Sequence, residues 1–191
     1  MKPAPQIYSL ALYPQTEEFS ILDIENLTAY LLDIGLLGEV FQCNAEQRYR
    51  LGERFYQLLS FMGCAPALKL EPDSPADVKF CHIRFTKSPQ SEFYCLRPDV
   101  KARCPHCHKA GSTAQQIRQS CFTGRQDWVC PHCRTAIKAE AINWKHEAGI
   151  SSFLIELIDV HPHEVVPTDS FLKGLATLTG HHWQYFYNVN G

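Results

Sequence analysis

Cys104-Pro105-His106-Cys107 and Cys130-Pro131-His132-Cys133 place four thiols in two matched pairs. In each C-x-x-C, the proline after the first cysteine fixes φ and shapes a turn. Both sulfurs of a pair then point to one side, where a single ion can take them. The gap between the pairs is 22 residues, room for two short strands and a loop. Four soft sulfur donors in two pairs suit a tetrahedral Zn²⁺. With every coordination position filled by sulfur, no water is left to activate, so the expected ion is structural and single. The same thiols could hold a rubredoxin-like iron or form disulfides. His106, His108 and His132 lie inside or beside the pairs, and with four cysteines available they are expected to face solvent.

This pattern resembles the zinc-ribbon family, over about 40 of the 191 residues. The resemblance implies two knuckles clamping one Zn²⁺ between β-hairpins. It implies no single activity, because ribbons bind nucleic acid, dock proteins or act as scaffolds. A module of this size has little core of its own, so the metal supplies folding energy.

Other chemistry-bearing residues are less complete. Asp159-Val160-His161-Pro162-His163-Glu164 ends a predicted strand. Alternation would put Asp159, His161 and His163 on one face, a metal or acid/base group. The plainer alternative is a polar exit from the strand. The nucleobase-deaminase signature, H-x-E followed by P-C-x-x-C, fails in spacing and in order. No P-loop, G-x-G-x-x-G, H-E-x-x-H or G-x-S-x-G occurs. His181-His182 sits at a predicted helix–strand turn and reads as surface. Cys81-His82 could pair a nucleophile with a base, but adjacent strand residues point to opposite faces.

The 45% hydrophobic and 12% aromatic content supports a real core. The formal charge of −2 hides a split. Residues 97–138 sum to +6 and the remainder to −8; four thiolates and one Zn²⁺ would reduce the ribbon to about +4. A basic ribbon on an acidic body could face phosphate or an acidic protein surface, or its cations could simply solubilise a small module. The nine cysteines are an odd number, which argues for a reducing, cytoplasmic setting. Residues 1–13 lack the long apolar core of a leader, and no run approaches membrane-spanning length.

The elements that would position these groups read as α+β. Ile7–Tyr13 is a predicted strand, Asp23 caps a predicted helix to Ile34, and Gly35 and Gly38 end it. Glu39–Gln42 is a short predicted strand. Leu51–Met62 carries a helical stripe, with a strand over Phe55–Phe61 as competitor. Residues 65–77 form a loop around Leu68–Leu70. Val78–Phe85 and Glu92–Leu96 form a hairpin around Ser88–Ser91. Gln115–Thr123 and Asp127–Val129 are expected ribbon strands, with Phe122 and Trp128 beside the metal. Ser152–Val160 is a predicted strand, Asp169–Leu178 a helix and Trp183–Val189 the last strand.

Residues 7–42 and 153–189 repeat one outline, as in ferredoxin-like folds. The expected architecture is a mixed or antiparallel sheet with two or three helices. Residues 1–98 and 139–191 form one discontinuous domain, and 99–138 the inserted ribbon. Three functions compete: a non-catalytic adaptor or regulator that binds a macromolecule, more readily a protein than nucleic acid; an enzyme with its site at 159–164; and a nucleic-acid binder using the basic ribbon and exposed aromatics such as Trp128.

Overall fold

A computed structural model describes residues 6–16, 19–43, 45–62, 68–74, 77–122 and 126–190. In chain order the elements are β1 (Ile7–Pro14), α1 (Ile21–Asp33), β2 (Leu37–Cys43), β3 (Glu46–Leu51), α2 (Phe55–Leu58), β4 (Leu59–Phe61) and β5 (His82–Cys95). The ribbon region follows with β6 (Lys101–Arg103), β7 (Ala110–Thr113), α3 (Ala114–Ile117), β8 (Trp128–Val129) and β9 (Ala136–Ile137). The chain ends with β10 (Ala148–Ile158), β11 (Val165–Pro167), α4 (Asp169–Thr179) and β12 (Trp183–Asn190). No helix among the described residues is long and apolar enough to cross a membrane.

Six strands make one antiparallel sheet in the order β12-β1-β10-β5-β3-β2. The connection from β1 to β5 skips over β10, and the connection from β10 through α4 to β12 skips over β1. This is the split β-α-β arrangement that the repeated outline suggested. The short strand after α1 does not take the inner position. It pairs with β3 at the far edge, and β5 fills the place beside β10.

The two long helices follow from their caps. Ser20, not Asp23, is the N-cap of α1: its hydroxyl accepts from the Asp23 amide at 3.1 Å, and the Asp23 carboxylate accepts from the Ser20 amide at 2.9 Å. The Ser20 hydroxyl, donating to the Asp23 carboxylate at 2.6 Å, and then the Ser20 amide hold that carboxyl below its usual pKa. Gly35 follows at φ +75°, where a side chain would be strained. Thr168 caps α4, and Gly180 closes it at φ +72°. Leu27 and Leu31 of α1 and Phe171 and Leu175 of α4 pack with Leu10, Leu12, Phe153, Ile155 and Ile83 of the sheet.

Two other expectations change. The stripe over Leu51–Met62 resolves into the single turn α2 followed by β4, which pairs with β11. Glu46–Leu51 is a further strand, for which the sequence carries no local signal. The hairpin around Ser88–Ser91 does not form: β5 runs on through it as one strand of 14 residues. Its register with β10 shifts there, so that residues 88–91 lie opposite Ser152 alone. Pro89 has no N–H for a ladder bond, and a bulge accommodates it without reversing the chain.

Candidate metal centre

Each cysteine pair sits at the tip of a two-stranded hairpin, Cys104 and Cys107 between β6 and β7, Cys130 and Cys133 between β8 and β9. The two knuckles are built alike. In the first, the His108 amide donates to the Cys104 carbonyl at 2.9 Å and the Cys104 amide to the Lys109 carbonyl at 3.1 Å. In the second, Arg134 and Cys130, then Cys130 and Thr135, make the same bonds, both at 3.0 Å. Both turns need a left-handed residue one position after the second cysteine, supplied by His108 at φ 59° and Arg134 at φ 62°. The Cys107 amide also points at the Cys104 sulfur, at 3.4 Å.

The four Sγ atoms lie within 4.8 Å of one another. Cys104 approaches Cys133 at 3.6 Å, and Cys107 approaches Cys130 at 3.7 Å. A tetrahedron with Zn–S bonds of about 2.3 Å has S···S edges of about 3.8 Å. The donor set therefore fits one tetrahedral ion. Cys104 and Cys130 are buried, whereas Cys133 is exposed. Hydrogen bonding to Thr135, side chain first, holds the Cys133 thiol down at about 6.

A small core stands behind the knuckles. It joins Trp128, Ile137, Ala102, Ile117 and Cys121 of the ribbon to Phe93, Ala148 and Ile150 of the sheet. Trp128 packs so closely on Gly111 that a Cβ there would lie 2.6 Å from the indole, and its Nε1 donates to Ser112 at 3.1 Å. Phe122 is partly buried against this core. Gln115–Phe122 is not strand material, and Thr123 lies outside the described residues. Residues 114–122 are helical, opened by a Thr113–Gln116 capping box and carried on by a π-turn over Arg118–Phe122. The return segment touches the first hairpin by one isolated bridge, where Arg103 and Asn143 exchange backbone bonds of 2.9 and 3.2 Å.

The structure does not bring the other sequence candidates together. β10 ends at Ile158, and Asp159 and His163 take left-handed turn conformations at φ 62° and 68°, so the expected alternation stops. His161 is exposed near the Tyr8 ring, and His163 lies edge-on to Tyr187 at 4.6 Å. His181 tilts against Phe19, and His182 is exposed. Among the described residues, the four cysteines are the only group of three or more metal donors. Cys81 and His82 are both buried, and burial pushes the Cys81 thiol up to about 12.

His82 joins a polar stripe that sequence reasoning missed. Its Nδ1 donates to the Phe80 carbonyl at 2.8 Å, which leaves Nε2 to accept from Arg48 Nη1 at 2.9 Å. Burial, with the Arg48 and Arg84 charges assisting, lowers its pKa to about 4. Beside it, Glu156 is 1% exposed in the middle of β10. It accepts from Arg84 Nη2 at 2.7 Å and Nε at 3.0 Å, and from the hydroxyls of Thr86 at 2.6 Å and Ser9 at 3.3 Å. The only sequence signal for this network is one acid inside an apolar strand.

On the ribbon surface Lys101, Lys109, Arg118, Arg134 and Lys138 are exposed, and Arg103 is half-buried. Comparison with models of known protein families, with curated proteins and with solved structures finds no match to this chain.

Proposed function

We propose that Cys104, Cys107, Cys130 and Cys133 hold one structural Zn²⁺, and that the protein is a non-catalytic adaptor or regulator whose basic ribbon docks an acidic surface of another protein. The observation that carries the metal is the all-sulfur donor set with S···S distances of a tetrahedral site. The binding role rests on the charge split between ribbon and remainder and on the exposed cations of the ribbon. Trp128, the aromatic that a nucleic acid would have stacked on, is 3% exposed. Its burial favours a protein over nucleic acid as the partner.

Two measurements test this. Metal analysis of the purified chain should give about one zinc per molecule, and Cys104→Ser or Cys133→Ser should lower that content and disorder the ribbon amides in NMR spectra. An ordered ribbon after exhaustive chelation removes the metal from the fold. A partner captured from the native cell is then titrated with wild type and with Lys101→Glu/Arg103→Glu/Arg118→Glu. The triple variant should bind more weakly, and wild-type binding should weaken with salt as the Debye length falls from about 10 Å at 0.1 M to about 3 Å at 1 M. Equal affinities take the ribbon out of the interface. A turnover that vanishes with His161→Ala or His163→Ala would replace the binding role by an enzymatic one.

A further inference from the structure

The segment that returns from the ribbon to the sheet does not pass the edge of β12 freely. The Tyr187 amide donates to the His146 carbonyl at 2.7 Å, and the His146 ring lies flat on Tyr185, with centroids 4.0 Å apart and planes 2° apart. Lys145 and His146 both take left-handed backbone, at φ 51° and 64°. Two consecutive non-glycine residues in that region cost energy, and surrounding bonds must hold them there. The Lys145 amide donates to the Asn143 side chain at 3.0 Å, and the Glu147 amide to the Trp144 carbonyl at 3.1 Å. The strained turn aims His146 at one place.

That place is a cavity of about 660 Å³ between the return segment, the end of β12 and α4. The volume lies within the range of ligand pockets, and junctions between structural units are where such pockets gather. Its chemistry is specific. His146 Nδ1 is 3.0 Å from the Tyr185 carbonyl. A carbonyl only accepts, so Nδ1 carries the proton, which leaves Nε2 as the ring nitrogen open to a ligand. Asn143, Gln15 and Gln184 add amides that both donate and accept. Asp169 and Glu140 are balanced by Lys145 and Lys173, so the fixed charge on the rim is zero. Trp144 and Trp183 supply aromatic wall.

One polar group there has no partner. The indole N–H of Trp128 donates to Ser112 and that of Trp183 to Thr179. The indole N–H of Trp144, a residue 6% exposed, has no acceptor.

We infer that this cavity binds a small uncharged ring bearing several hydroxyl or amino groups, the chemistry shared by nucleosides and sugars, with His146 Nε2 as acceptor for one of its donors. The balanced rim offers no net attraction to a phosphate. The mixed amides suit a ligand that donates and accepts at several points, and flat aromatic groups suit its ring. The site is separate from the cations of the proposed docking surface.

The test uses the full-length, zinc-loaded chain with adenosine, methyl glucoside and adenosine 5′-monophosphate as probes, followed by calorimetry and by tryptophan fluorescence. Adenosine or methyl glucoside should bind saturably in the millimolar range or tighter, and the one that binds identifies the source. His146→Ala should weaken that binding by about threefold to tenfold, the effect of losing one hydrogen bond. Lys173→Ala, at an exposed position of α4, should weaken it also while leaving the core intact. The ribbon variant Lys101→Glu/Arg103→Glu/Arg118→Glu should bind the probe like wild type. Absence of saturable binding by both neutral probes overturns the inference. So does binding unchanged in a folded His146→Ala and in Lys173→Ala. Tenfold tighter binding of the monophosphate than of adenosine would overturn the uncharged class.

Discussion

His82 is 0% exposed and held neutral between the Phe80 carbonyl and the Arg48 guanidinium. Its pKa of about 4 in the fold lies below the value of about 6.5 expected in the unfolded chain. The unfolded state therefore binds the proton first as pH falls. The stability contributed by neutral His82 is complete above pH 6.5 and is lost as pH drops toward 4, in the limit by about 3 kcal/mol. Urea unfolding of wild type and of His82→Gln, compared across this window, should show a steeper acid loss in wild type. The difference between the two curves cancels the acid sensitivity of the metal site, which lies on other elements. Parallel curves would show that His82 does not titrate on unfolding. At this scale the cysteines were legible and the polar stripe was not, for one reason. Each cysteine pair is local in sequence. Glu156 meets Ser9 and Arg84 at separations of 147 and 72 residues, and no pattern in a single strand announces such partners.

Among the elements, β10 is buried along its whole length, with neighbours on both edges and both faces. Gly149 lets it pass under Phe186: a Cβ there would lie 2.3 Å from the ring. Gly149→Ala should therefore cost about 1–3 kcal/mol through overpacking, read as a lowered Tm with the zinc content unchanged. A variant as stable as wild type would mean that Phe186 moves aside freely. A second prediction concerns α1: Ser20→Ala removes the capping hydroxyl and should cost about 1 kcal/mol in urea unfolding. No loss would show that water replaces the cap.

The long helices were legible because their stops are local, with Gly35 after α1 and Thr168 and Gly180 bounding α4. The strand next to the β2 edge was not. Glu46-Gln-Arg-Tyr-Arg-Leu51 is too polar to read as a strand until Arg48 is seen paired with Glu46 and His82. Residues 114–122 looked extended because the expectation of hairpin strands ran ahead of the Thr113–Gln116 cap.

Across the whole molecule, Cys95 and Ala148 are paired neighbours at the ends of β5 and β10. The ribbon leaves and re-enters the sheet at one point. Replacing residues 99–138 by a short Gly/Ser linker should keep the sheet and helices folded while exposing Phe93, Trp144 and Ile150, which now pack on the ribbon core. The expected result is a dispersed NMR spectrum with greater binding of a hydrophobic dye. A collapsed spectrum would make the ribbon indispensable to the sheet. Residues 1–98 alone should give no dispersed spectrum, because β10, which stands between β1 and β5, is missing.

The pairing of β1 with β12 carries a mechanical consequence. Ile7 lies opposite Asn190 and Pro14 opposite Trp183, so tension applied at Ile7 and Asn190 loads the ladder from one end. Its bonds then break in succession, as in a zipper, and rupture needs far less force than shearing all of them at once. The two cysteine-tipped hairpins lie outside that load path until β10 itself gives way.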